Sequence, residues 1–178
     1  MAKEQTNIVW PKRLKVPGKR RYTQLVPLER TKQKPLYVDR YGRGYTCKAL
    51  KDAETGEIVD FTLVKLKDVY NNNSEYAKLP HTKKCYRKFN SEFDNTLVHH
   101  AVLLAWVSPR PEGYEADHLN GNNTDNRLCN LQWVTPSENQ RRARTLRRLR
   151  KLHEAHPKLY KDPAQMTRKE LLHLFSQE

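Results

Sequence analysis

Residues Asp117 to Asn139 constrain what this chain can fold into more than any other stretch. Asp117 and His118 end a run of apolar alternation. The turn-rich loop Asn120-Gly121-Asn122-Asn123 follows, and on its own reads as a plain hairpin turn. Leu131 and Trp133 then alternate with polar Gln132, the pattern of a short strand with one packed face. Thr135 suits the N-cap of a helix, Pro136 its first position and Glu138 the third, a capping box with proline where it is favoured. The order strand, loop, strand, helix is therefore dictated locally.

The rest of the chain divides by composition. Residues 1–35 carry Lys12, Arg13, Lys15, Lys19, Arg20 and Arg21 among Pro11, Pro17 and Pro27, and read as an extended basic arm. Residues 36–93 hold short runs rich in β-branched and aromatic residues: Leu36-Tyr37-Val38, Tyr45 to Leu50, and Ile58 to Leu66. Gly42, Gly44 and the Asp52–Gly56 segment supply turns, and Asn71-Asn72-Asn73-Ser74 reads as a loop. A small sheet is expected there. Residues 94–143 hold the motif, preceded by a helix over Leu97–Val107 with Val98, Val102, Ala105 and Trp106 on one face, stopped by Pro109 and Pro111. Residues 144–178 read as a basic helical tail. The helix through Ala155 is broken at Pro157, and Thr167-Arg168-Lys169-Glu170 is a capping box for a last short helix. The class is α+β.

The formal net charge is +14 in 178 residues, which favours a polyanionic partner, most simply nucleic acid. Mean hydropathy is −0.96, so the core is modest. No apolar run is long enough for a bilayer, and Met1 to Thr6 shows no apolar signal region; a cytoplasmic protein is expected, acting inside a host cell if phage-encoded. Cys47, Cys85 and Cys129 are isolated, which argues against zinc staples and suits free thiols in a reducing compartment.

The chemistry converges on the motif. Asp117 is a hard anionic ligand and Asn139 a hard neutral one; with phosphate oxygens and waters they suit a single Mg²⁺ or Mn²⁺. His118 is the natural general base, because a neutral imidazole can take a proton from water near pH 7. Asp117 and His118 point to opposite faces of a regular strand, so a bend or bulge is expected to bring both to one phosphate. Asn130 is placed to hydrogen-bond the loop backbone and hold the two strands in register.

This series resembles the HNH endonuclease family, in particular its phage- and intron-associated homing type. The resemblance rests on Val98-His99, Asp117-His118, Gly121, Asn126, Asn130-Leu131-Gln132-Trp133-Val134-Thr135 and Asn139, and covers about Leu97 to Arg142. It implies a ββα-metal fold, one divalent ion and hydrolysis of DNA phosphodiester bonds. By residue it implies Asp117 and Asn139 as metal ligands, His118 as general base and Asn130 as the loop-fixing asparagine of the catalytic motif. His100 stands where the family usually has a basic residue. His99 reads equally as an auxiliary DNA contact and as a packed histidine.

The expected function is thus a metal-dependent DNA endonuclease. Lys12, Arg13, Arg20 and Arg21 in the arm, and Arg141, Arg142, Arg144, Arg147 and Arg148 in the basic helix, would contact phosphates of double-stranded DNA. The alternative is a non-catalytic scaffold in a larger RNA or DNA assembly, which the long basic ends would also suit. Oligomeric state is not legible in the sequence.

Overall fold

The structure is a computed structural model that describes residues 8–27, 34–67, 69–70, 86–93 and 95–177. The expected loop at Asn71–Ser74 and Cys85 lie outside these residues.

The β-rich runs form a five-stranded antiparallel meander, in the order β1 (Arg13–Lys15), β2 (Tyr22–Leu25), β3 (Leu36–Asp39), β4 (Gly44–Lys51) and β5 (Ile58–Lys65). The side-chain period of two sorts β3 between two cores. Leu36 and Val38 join a cluster with Val26, Phe89, Phe93, Val98, Ala101, Val102, Leu103 and Leu131. Tyr37 faces the other way, onto Val16, Tyr45 and Cys47. Because both faces are covered, every residue of β3 is buried.

The described part of the basic arm, residues 8–27, is folded into the sheet rather than free. Arg13–Lys15 and Tyr22–Leu25 pair as a hairpin and continue the sheet, with Thr23 opposite Asp39. The prolines flank the strands rather than interrupt them, and Tyr37 donates its hydroxyl to the Pro11 carbonyl at 2.7 Å. Strands this short carry little local signal, so non-local pairing decides them.

Short strands β6 (Val69–Tyr70) and β7 (Arg87–Lys88) lead to α1 (Val98–Trp106), which packs on β3 and carries His99 and His100. Trp106 ties α1 to the sheet through its indole N–H, which donates to the Val38 carbonyl at 3.1 Å. Next come β8 (Glu115–His118) and β9 (Leu131–Val134), an antiparallel pair, and then α2 (Pro136–Ala155). The boundary drawn at 143/144 falls inside this one helix, since nothing stops it before His156 and Pro157. Thr135 caps α2 by accepting from the Glu138 N–H. Glu138 does not complete the expected box; its carboxylate binds Arg142 one turn on instead.

Helix α3 (Arg168–Ser176) opens with the expected capping box of Thr167 and Glu170. Its Leu171 and Phe175 form a third core with Leu119 and Leu146. Arg168 reaches the carbonyls of Cys129 and Leu131 at 3.1 and 3.2 Å, and Arg141 the Phe175 carbonyl at 2.9 Å. No helix among the described residues is long and apolar enough to cross a membrane.

Candidate active site

Strand β8 pairs with β9 in unbroken register: Glu115 with Val134, Ala116 with Trp133, Asp117 with Gln132, and His118 with Leu131. The bend or bulge expected at Asp117-His118 is therefore missing, because the ladder holds both residues regular. Two faces of one strand follow, and each has its own chemistry.

The first face looks onto α2. Asp117, largely buried, accepts from Arg142 at 3.2 Å, and Arg142 also binds Glu138. Glu115, two residues before Asp117 on the same face, accepts from the Asn139 side-chain amide at 2.8 Å. The structure thus brings Asp117 and Asn139 into one strand–helix seam, together with Glu115, Glu138 and Arg142. Burial raises the Asp117 carboxyl above the usual carboxylate range, and the Arg142 guanidinium opposes that rise. Among the described residues, no group of three or more His, Cys, Asp or Glu side chains is arranged to hold a metal ion.

The second face carries His118, 4% exposed. Its ring lies edge-on to His99, centroids 4.9 Å apart, with Tyr86 at 6.1 Å. His118 Nε2 is 3.1 Å from Asn126 Oδ1. Asn126 uses its own amide N–H toward the Thr124 carbonyl at 3.4 Å, so its oxygen faces the ring and can only accept. The proton then sits on Nε2, and Nδ1 keeps the lone pair. Burial lowers the His118 pKa below the ordinary histidine value, while Asn126 and Asp125 pull the other way.

The loop that presents Asn126 is held by side-chain amides. Asn130 Nδ2 donates to Asn120 Oδ1 and to the Asp125 carbonyl, both at 2.9 Å, and Asn130 Oδ1 accepts from the Asn120 N–H at 3.0 Å. Asn120 Nδ2 in turn donates to Asp125 at 3.1 Å. Asn130 is 5% exposed and faces the loop it organises.

His99 is 3% exposed, packed among Tyr86, His100 and His118, and so is a core histidine rather than a surface contact. Burial, then His118 and His100, hold its pKa down at about 2.

Two of the expected phosphate-contacting arginines of α2 are engaged elsewhere. Arg142 is 7% exposed, held between Asp117 and Glu138 and lying 4.9 Å over the Phe175 ring. Arg141 donates to the Phe175 carbonyl. Helical period explains both, since these positions face β8 and α3. Arg144, Arg147 and Arg148 are exposed and line a groove with Lys151 and Leu152. In the hairpin, Lys12, Arg13 and Arg20 are exposed, whereas Arg21 pairs with buried Asp39 at 3.3 Å.

Sequence reasoning missed Glu115, Tyr86 and the Asn120–Asp125 contact. Only Glu115 carried a signal, its two-residue spacing from Asp117.

The family model described as HNH endonuclease matches residues 96–141, which span α1, β8, β9 and the start of α2. The SPbeta prophage-derived putative HNH homing endonuclease YosQ of Bacillus subtilis (strain 168) is 31% identical over 86 residues, 48% of this chain and 47% of that protein. The chain thus aligns with about half the length of that relative. No solved structure matches. The segment that carries Asp117, His118 and Asn139 thus matches the HNH endonuclease family model.

Proposed function

We propose that this chain is a metal-dependent endonuclease that hydrolyses DNA phosphodiester bonds, with β8, β9 and α2 as its ββα-metal core. The observation that carries the reading is the His118–Asn126 hydrogen bond. It supports a neutral imidazole with Nε2 protonated and Nδ1 available, and a lowered pKa keeps that form dominant at neutral pH. His118 would take the proton of the attacking water at Nδ1.

The residues of the seam suit one Mg²⁺ or Mn²⁺ in donor type. Asp117 supplies a carboxylate, and Asn139, its amide N–H spent on Glu115, supplies an amide oxygen. Two protein donors leave the other ligands to water and phosphate. Bound there, the ion would polarise the scissile phosphate and stabilise the leaving oxygen. Asn130 would act by holding the loop that positions Asn126. The exposed Arg144, Arg147, Arg148 and Lys151, with Lys12, Arg13 and Arg20, would contact phosphates along double-stranded DNA.

Supercoiled plasmid incubated with the protein and Mg²⁺ or Mn²⁺ tests this. The expected result is conversion to nicked or linear forms that stops with chelator and in Asp117→Ala. Cleavage indifferent to chelator would overturn the one-metal reading, and no conversion under either ion would overturn the nuclease.

A further inference from the structure

The turn joining β3 to β4 meets the loop of the motif behind the partner of His118. That turn is rigid. Asp39, fully buried, accepts from the Tyr41 and Arg43 N–H groups at 2.9 and 3.0 Å, and its carbonyl takes the Gly42 N–H at 3.1 Å. The Arg40 carbonyl accepts from the Leu128 N–H at 2.9 Å, which bolts the turn to the loop. Gly42 then sits against the loop with no room to spare. Its φ is +75°, and a Cβ placed there would lie 2.8 Å from Asn126 Cβ, 2.9 Å from the Asn126 carbonyl and 3.3 Å from Val98. Two of those three contacts are main chain or the root of a side chain, which cannot swing aside. Asn126 meets His118 on its other side, and Val98 begins the helix that carries His99.

We propose that Gly42 is a positioning residue for the site. The β3–β4 turn is the backstop that sets where Asn126 stands, and through Asn126 the angle and tautomer of the His118 ring. A glycine is required for the approach itself, beyond the positive φ. The proposal concerns a reaction assigned under the proposed function, yet the placement of His118 can be read without any cleavage.

Three variants test it. Gly42→Ala adds the Cβ that meets Asn126. Gly42→Asn adds the same Cβ but tolerates positive φ better. Gly56→Ala is the control, with φ +71° and nothing within 4 Å, so it has the backbone strain without the contact. In both Gly42 variants the ¹⁵N resonances of the His118 imidazole should move from their wild-type positions. The turnover rate on plasmid should fall about 10- to 100-fold with little change in KM, the scale of a catalytic group displaced by about 1 Å. Gly56→Ala should match wild type in both readouts. Asp39→Asn weakens the charge that holds the turn without adding an atom, and serves if Gly42→Ala does not fold; it should move His118 the same way by less. Wild-type His118 signals in a folded Gly42→Ala or in Asp39→Asn would overturn the proposal. If the wild-type protein cleaves nothing, the nuclease reading fails, and the imidazole spectra still decide the role of Gly42.

Discussion

The two faces of β8 differ more than adjacent residues usually do. Toward α2, Asp117 sits in a seam of charge, with Glu115, Glu138 and Arg142 around it. Toward α1, His118 sits among His99, Tyr86 and one amide, with no carboxylate of the described residues in hydrogen-bond contact. A flat strand separates a place fit for a cation from a place that keeps an imidazole neutral. On the proposed mechanism, the base must not have its pKa raised by the carboxylates that would hold the metal, and regular pleating would keep the two on opposite faces.

The largest effect should come from the neutral face. His118→Ala is expected to lower kcat by about 10²–10⁴-fold, the usual share of a positioned base, and to leave DNA affinity nearly unchanged. Cleavage assays and a binding titration on the same preparation check this, and undiminished turnover would take His118 out of the mechanism.

The charged face is the next to break. Arg142→Met removes the guanidinium that Asp117 and Glu138 share, and leaves a buried carboxylate without its partner. A destabilisation of about 3 kcal/mol is expected in urea unfolding at pH 7, the low end for losing one member of a buried pair because Asp117 can take up a proton. If Arg142→Met proved as stable as wild type, the seam would not depend on this pairing, and the contrast between the faces would weaken.

Acid sharpens the same contrast at smaller scale. The unfolded chain protonates its histidines as pH falls through about 6.5, while His99 in the folded state stays neutral down to about 2. A depressed folded pKa means that the unfolded state binds more protons below 6.5. Stability is therefore full above that pH and declines as pH falls. By pH 5, His99 alone should account for about 2 kcal/mol, and His118 and His100, also held low by burial, add to it in the same direction. Unfolding curves between pH 7 and pH 5 check this, with His99→Leu expected to flatten the decline. An equal decline in that variant would place the acid sensitivity outside His99.

Local chemistry made parts of this molecule legible in advance. Thr135 and Pro136 announced the start of α2, Thr167 and Glu170 that of α3, and the runs at Leu36, Tyr45 and Ile58 became β3, β4 and β5. What stayed hidden depends on partners distant in sequence. The hairpin of β1 and β2 exists because β3 offers an edge, and its prolines spoke louder than its few strand residues. Arg142 looked like one more surface cation, since its partner Asp117 lies 25 residues away. The seam of the site was written in residue types, but who faces whom required the register of β8 on β9. That Asp117 and His118 lie in a strand without a bulge was seen only once that register was in hand.

The hold of α3 on the motif has a bearing on protein engineering. The family-matched stretch ends at residue 141, yet two of its carbonyls, at Cys129 and Leu131, are gripped by Arg168, and Leu119 is roofed by Leu171 and Phe175. A graft that moved residues 96–141 alone into a foreign scaffold would carry Asp117, His118 and Asn139 and leave this roof behind. The smallest transplant that keeps its own cover on this side runs to Phe175.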